Sequence, residues 1–346
     1  MLEVMIGRPR GVLLRGWSAV VDDYAIAGGW IPDGKVFLVG DASGGVYAFD
    51  GGIGSTVWTH QGAHEGGLLS LDIHPSGAKF ATVGQDGRVL IWGVAEGKVR
   101  NITEVGKGWV ENVAWSPDGQ WLAVSCSRKV HVYDAEGRES WHSDDHPSTV
   151  SAIAWSSKGE LATACYGRVT FFDASNGETL QLLEWKGSLI SMVLSPDGEV
   201  VACGCQDNSV HFWRRSTEED SQLTGYLGKP SSLAFDDTST LLATGGGDVV
   251  TVWSFSEEGP EDTMPGVFAL HRESITALAF THEMRLASGG RDGSVVIWTL
   301  ESNGEGYPVG GALLGDVVAG LHWRSDGRAL AALDARGGVT AWQVRK

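Results

Sequence analysis

Disulfide chemistry has little to work with in this chain, which holds four cysteines in 346 residues, none of them at CxxC spacing. That scarcity argues against a disulfide-stapled scaffold and suits a reducing compartment. Cationic side chains are also scarce: 26 Lys and Arg stand against 43 Asp and Glu, a net charge of −17. Nucleic-acid binding needs clustered cations to neutralise phosphates, so no nucleic-acid partner is expected, and the acidity favours solubility and basic partners. No apolar run approaches the length of a membrane span, and MLEVMIGRPRGVLL (1–14) lacks the basic, apolar, small-residue order of an export signal. The expectation is a cytoplasmic protein without membrane contact, in which the sequon Asn101-Ile-Thr103 carries no glycan.

Amphipathic helices of useful length are missing as well, while 49 Gly and 15 Trp are plentiful. That mixture suits short strands, tight turns and large aromatics packed between sheets. One plan recurs eight times: an apolar strand, a turn such as SPDG, a second strand of small residues, a Gly-rich turn, and a third strand closing on an aromatic. The closing residues are Phe49, Trp92, Tyr133, Phe172, Trp213, Trp253, Trp298 and Trp342, a period of roughly 40 residues that matches a propeller blade. In repeats two and three, Pro75 and Pro117 preset φ while Gly77 and Gly119 supply the left-handed residue of the turn. A three- or four-stranded sheet cannot bury both faces alone, so the repeats must stack on one another.

The repeats resemble the WD40 family of β-propellers, whose repeat carries a Gly-His pair, a turn Asp and a closing Trp-Asp. AHEGGLLSLDIHPSGAKFATVGQDGRVLIW (63–92) and LHRESITALAFTHEMRLASGGRDGSVVIW (270–298) keep most of that pattern. The pattern is departed from after the closing Trp, which is followed by Gly93, Arg214, Ser254, Thr299 or Gln343 and never by Asp. The resemblance covers residues 10–344 and implies a single all-β domain over 1–346. Its three-strand repeats lie near 24–50, 68–93, 109–134, 149–173, 189–214, 230–254, 274–299 and 316–343. Eight blades are expected, with seven, the family's usual count, as the alternative. Outer fourth strands follow seven repeats, among them 55–60, 178–185, 266–271 and 310–315, and GVLLRGW (11–17) is expected to supply the outer strand of the last.

The resemblance also implies a buried hydrogen-bond chain from Trp through Ser or Thr and His to the turn Asp: Trp92, Thr82, His64 and Asp86, and Trp298, Ser288, His271 and Asp292. A Ser/His/Asp trio resembles a hydrolase triad, but the same trio recurring at one address in two repeats, ending on a Trp donor, reads as structure. Cys126, Cys165 and Cys205 share the end of the second strand, where other repeats carry Gly84, Gly246 and Gly290. That address takes small residues, and sheets stacked about 10 Å apart keep the thiols from a common metal or a disulfide. His60 and His64, like His142 and His146, lie four apart but not on a helix. The acidic loop Asp144-Asp145 and the runs Glu218-Glu219-Asp220 and Glu257-Glu258 read as solvated. GGIGST (51–56) and ATGGGD (243–248) lack the Lys-Ser/Thr and helix of a phosphate loop. No catalytic residue, metal or cofactor is expected.

The leading function is a non-enzymatic scaffold that binds one or more proteins through its loops, as a monomer or as a subunit of a hetero-complex. The alternatives are a propeller that binds a small ligand or acts as an enzyme in its central channel, and a metal-handling accessory protein using the ten histidines. In the family, the loops leading into the inner strands form the usual recognition face. Tyr24, Leu68, Trp109, Thr149, Leu189, Pro230, Ser274 and Asp316 hold that address. Tyr24, Trp109, Arg128, Trp185 and Lys186 are the protein-binding candidates, because exposed aromatics and cations at loops are typical interface anchors.

Overall fold

A computed structural model describes residues 9–256, 259–261 and 263–345, so the Glu257-Glu258 run lies outside the described residues. Every described regular element is a strand. The second strand of each repeat is buried along nearly its whole length: Lys79–Gly84, Val200–Cys205, Arg285–Gly290 and Ala329–Asp334 show no inside-outside alternation. A strand covered on both faces reads as a continuous run of small and apolar residues, which is why these segments spell KFATVG or VVACGC. The outer strand Lys98–Glu104 has one covered face and alternates strictly between half-buried and exposed positions. Between first and second strands, Gly77 at φ 68° and Gly119 at φ 72° make the left-handed turn residue, and each returns its N–H to the carbonyl three residues back, His74 and Ser116, at 2.8 Å.

Two compact units divide the chain. One comprises Val21–Gly51 and Ser55–Met192; the other comprises the residues up to Val20, Gly52–Gly54 and Val193–Lys346. The first holds the sheets of repeats one to three, with strands running in simple order from Ala25–Trp30 to Thr56–His60, from Leu68–Ile73 to Lys98–Glu104, and from Val110–Trp115 to Glu139–His142. Its core includes Leu38, Leu68, Phe80 and Trp92, all at most 2% exposed. In the second unit, Leu13, Val295, Ile297, Leu330 and Trp342 lie in one apolar cluster.

The expectation of eight blades is corrected. The described strands form seven hydrogen-bonded sheets, and counted that way the blades number seven. Repeats four and five share one six-stranded sheet because Thr179–Leu194 is a single strand of 16 residues. The sequence reading ends the outer strand of repeat four at Trp185 and places a loop before Leu189. Instead, Tyr166 pairs with Ser188, so the ladder continues past Trp185, and no left-handed residue interrupts the strand.

The N-terminal segment takes part in two sheets. Arg10–Gly11 pairs with Gly310–Gly311 on the outer strand of repeat seven. Leu13–Val20 then pairs antiparallel with Gly338–Val344, from Leu13 opposite Val344 to Val20 opposite Gly338. Between them, Val12 donates its N–H to the Val309 carbonyl and accepts the N–H of Arg345. Leu13 and Trp17 are buried in consequence.

Candidate functional site

The polar chain of repeat two runs from buried Trp92, Thr82 and His64 to half-buried Asp86. The Trp92 indole N–H donates to Thr82 Oγ1 at 2.9 Å, Thr82 Oγ1 lies 2.8 Å from His64 Nε2, and His64 Nδ1 lies 3.0 Å from Asp86 Oδ1. Burial pushes the His64 pKa down against the pull of Asp86. A neutral ring satisfies every partner in one way only: Nδ1–H donates to Asp86, and Nε2 accepts the Thr82 hydroxyl. For Asp86, burial acts upward, but His64 and Arg88 outweigh it and hold the carboxyl below its ordinary value. Repeat seven repeats the geometry: His271 Nε2 lies 2.8 Å from Ser288 Oγ, and the Trp298 indole donates to the same oxygen at 2.8 Å. There Ser294 stands between His271 Nδ1, at 2.7 Å, and Asp292, at 2.6 Å. Thr82 and Ser288 are 0% exposed, so neither hydroxyl can meet a substrate, and the arrangement acts as internal bracing.

Repeat four has a partial version in which His146 Nε2 lies 2.9 Å from Thr163 Oγ1 while Nδ1 faces the Arg128 carbonyl at 3.0 Å. His146 is therefore occupied and does not pair with His142. Cys126, Cys165, Cys203 and Cys205 are all free, and burial raises each thiol pKa.

The aromatic candidates behave differently from the closing aromatics. Trp92, Trp213 and Trp298 are at most 2% exposed, whereas Trp109 is 54% and Tyr24 38% exposed. Trp109 immediately precedes Val110, which pairs with Cys126, so Trp109 and Arg128 occupy the same end of one sheet. The exposed Arg128 donates Nε–H to the His146 carbonyl at 2.7 Å, and Val150 donates its N–H to Ser127. These bonds tie that end to the loop leading into repeat four. In that loop the Ser148 hydroxyl accepts the Tyr166 N–H at 2.8 Å. Tyr166 is 53% exposed and pairs with Ser188, close along the strand to half-buried Trp185 and exposed Lys186. Trp109, Arg128, Trp185 and Lys186 thus fall along hydrogen-bonded ends of successive sheets, and Tyr24 holds the corresponding end of the first. Tyr166 escaped the sequence reading. Its signal was a bulky residue directly after the small-residue address, where repeats two, three and five have Gln85, Ser127 and Gln206.

A metal-type cluster also escaped it. His131 and His142 are directly opposite across the outer pair of strands in repeat three, and with Glu139 their ligand atoms lie within 4.8 Å of one another. Eleven residues of separation hid the pairing, which the turn at Gly137, φ 84°, brings about.

Residues 54–93, 178–214 and 263–299 match the family described as "WD domain, G-beta repeat", and residues 102–158 match "Anaphase-promoting complex subunit 4 WD40 domain". Telomerase protein component 1 of Rattus norvegicus is 24% identical over 298 residues, 81% of this chain and 11% of that protein. The cofactor of APC complex Cell division cycle 20.1 of Arabidopsis thaliana is 26% identical over 194 residues, covering 49% and 40%. WD repeat-containing protein 1 of Xenopus tropicalis is 23% identical over 325 residues, covering 78% and 53%. The chain therefore spans only about a tenth of the telomerase component and about half of the latter. Among solved structures, the computationally designed Ika8 protein superposes with a TM-score of 0.81 at 20% identity, covering 96% of this chain and all of that one, a likeness of fold alone.

Proposed function

Given that this chain is a WD40-repeat β-propeller, we propose that it is a non-enzymatic scaffold that binds a protein partner through the sheet ends bearing Tyr24, Trp109, Arg128, Tyr166, Trp185 and Lys186. The observation that carries the reading is Trp109, more than half exposed at a loop, whereas the closing residues Trp92, Trp213 and Trp298 are buried. An exposed Trp that shares a hydrogen-bonded frame with Tyr and Arg fits the residue types that dominate binding energy, and the frame limits the entropy lost on docking. The relatives named for a complex cofactor and a protein component support a role within assemblies. A cytoplasmic location belongs to the same proposal, supported by four thiols that stay free.

Affinity capture from the native host, followed by mass spectrometry, tests it. Trp109→Ala should lose the captured partner without shifting the melting temperature, since the indole touches solvent rather than core. An unaltered capture rejects the site, and loss together with a lowered melting temperature assigns Trp109 to folding.

A further inference from the structure

The cluster in repeat three has the donor set of a transition-metal centre. His131 lies on Lys129–Asp134 and His142 on Glu139–His142, directly opposite in register. Their rings stand 5.5 Å apart between centroids. Glu139 Oε1 is shared between them, 2.8 Å from His142 Nδ1 and 3.3 Å from His131 Nδ1. A metal with bonds of about 2.0–2.1 Å to nitrogen and oxygen holds its tetrahedral ligands a little over 3 Å apart, so the 4.8 Å envelope is within small side-chain rotations of a ligand set. The His131 side chain is 14% exposed and fixed in the sheet, while Glu139 and His142 are 44% and 53% exposed, which leaves a path for an ion and a fourth, solvent-side position. Two imidazoles and one carboxylate suit zinc-like first-row ions and disfavour magnesium or calcium, which take oxygen ligands.

We propose that His131, Glu139 and His142 bind one divalent transition-metal ion of the zinc class, with water at the remaining position. The ion replaces the carboxylate-imidazole hydrogen bonds at Nδ1, and each neutral imidazole then carries its single ring proton on Nε2. It also cross-links the two outer strands of the sheet.

The test uses untagged, EDTA-treated full chain titrated with Co2+ and followed by visible absorption, then with Zn2+ by calorimetry. One equivalent should bind, with ligand-field bands and no thiolate charge-transfer band, and Zn2+ should raise the melting temperature. His142→Ala should weaken binding at least roughly tenfold, as expected when a metal contact is lost, and Glu139→Gln should weaken it in the same direction. Both residues are largely exposed, so their variants should melt like the parent without metal. His282→Ala, which removes another exposed His beside a carboxylate, Asp237 at 2.7 Å, should bind as the parent does. Absence of saturable binding, or binding that survives His142→Ala and Glu139→Gln, overturns the proposal, as does equal loss in His282→Ala.

Discussion

The Tyr226 hydroxyl lies 2.8 Å from Thr244 Oγ1 and accepts the Trp253 indole N–H at 3.0 Å, so in repeat six a phenol stands between a Thr and a Trp, a pair that is bonded directly, Trp92 to Thr82, in repeat two. Thr244 also faces Thr251 Oγ1 at 2.5 Å, whereas the Trp253 indole donates to Tyr226. Tyr226→Phe should therefore cost about 1–2 kcal/mol, mostly through the stranded indole donor. Urea denaturation measures it, and a change within error would mean that water takes over the bond.

In repeat two, the same reasoning predicts that His64→Ala and Asp86→Ala each destabilise the fold by about 1–3 kcal/mol. Arg88→Ala should cost less, because the Arg88 side chain is 31% exposed and its bond to Asp86 at 2.6 Å competes with water. Capture of a partner by the still-folded fraction should persist in all three variants. Capture lost without any loss of stability would reopen a catalytic role for the trio.

His211 gives a pH dependence of definite sign. It is 0% exposed, and burial lowers its pKa to about 4 despite the opposing pull of Asp220 and Asp207. The folded chain then holds fewer protons than the unfolded chain between the ordinary histidine value and about pH 4. Its contribution is complete above pH 6.5 and drains away as the pH falls toward 4, by about 3 kcal/mol as an order of magnitude. Melting temperatures from pH 7.5 to 4.5 should fall more steeply for the parent than for His211→Gln. Parallel curves would show that the folded imidazole takes up its proton as readily as the unfolded one, with a neighbouring carboxylate compensating its charge.

Removing residues 1–18 takes away Leu13, Trp17 and most of the ladder to Gly338–Val344. Two buried apolar side chains at about 1.5–3 kcal/mol each, together with a newly bare strand edge, predict a loss of about 3 kcal/mol or more. Thermal unfolding of the truncated chain checks it, and an unchanged melting temperature would count against the pairing.

Most of the strand plan was legible because turn chemistry is local: Pro75 to Gly77 and Pro117 to Gly119 announce their turns in three residues. What the sequence hid depended on through-space choices. Nothing in LEWKGSLIS (183–191) marks whether the backbone turns or stays extended, since Lys186-Gly187-Ser188 permits either; the pairing of Ser188 with Tyr166 decides it. The network of repeat six was invisible because Tyr226 is not at the family's His position in character, although its hydroxyl reaches the same oxygen. The exposure of Trp109 followed from its place just before a strand, whereas that of Tyr166 depended on a strand that continues where a turn was expected.

The pairing of Leu13–Val20 with Gly338–Val344 sets a delay during synthesis. Ser18 and Thr340, whose hydroxyls meet in the finished ladder, are 322 positions apart. At translation rates of about 5–20 residues per second, the early strand leaves the ribosome tens of seconds before its partner exists. Throughout that interval Leu13 and Trp17 have no native cover and the strand has an open hydrogen-bonding edge. The nascent chain should consequently be a client for holding chaperones at Leu13–Val20, and release should coincide with emergence of Gly338–Val344.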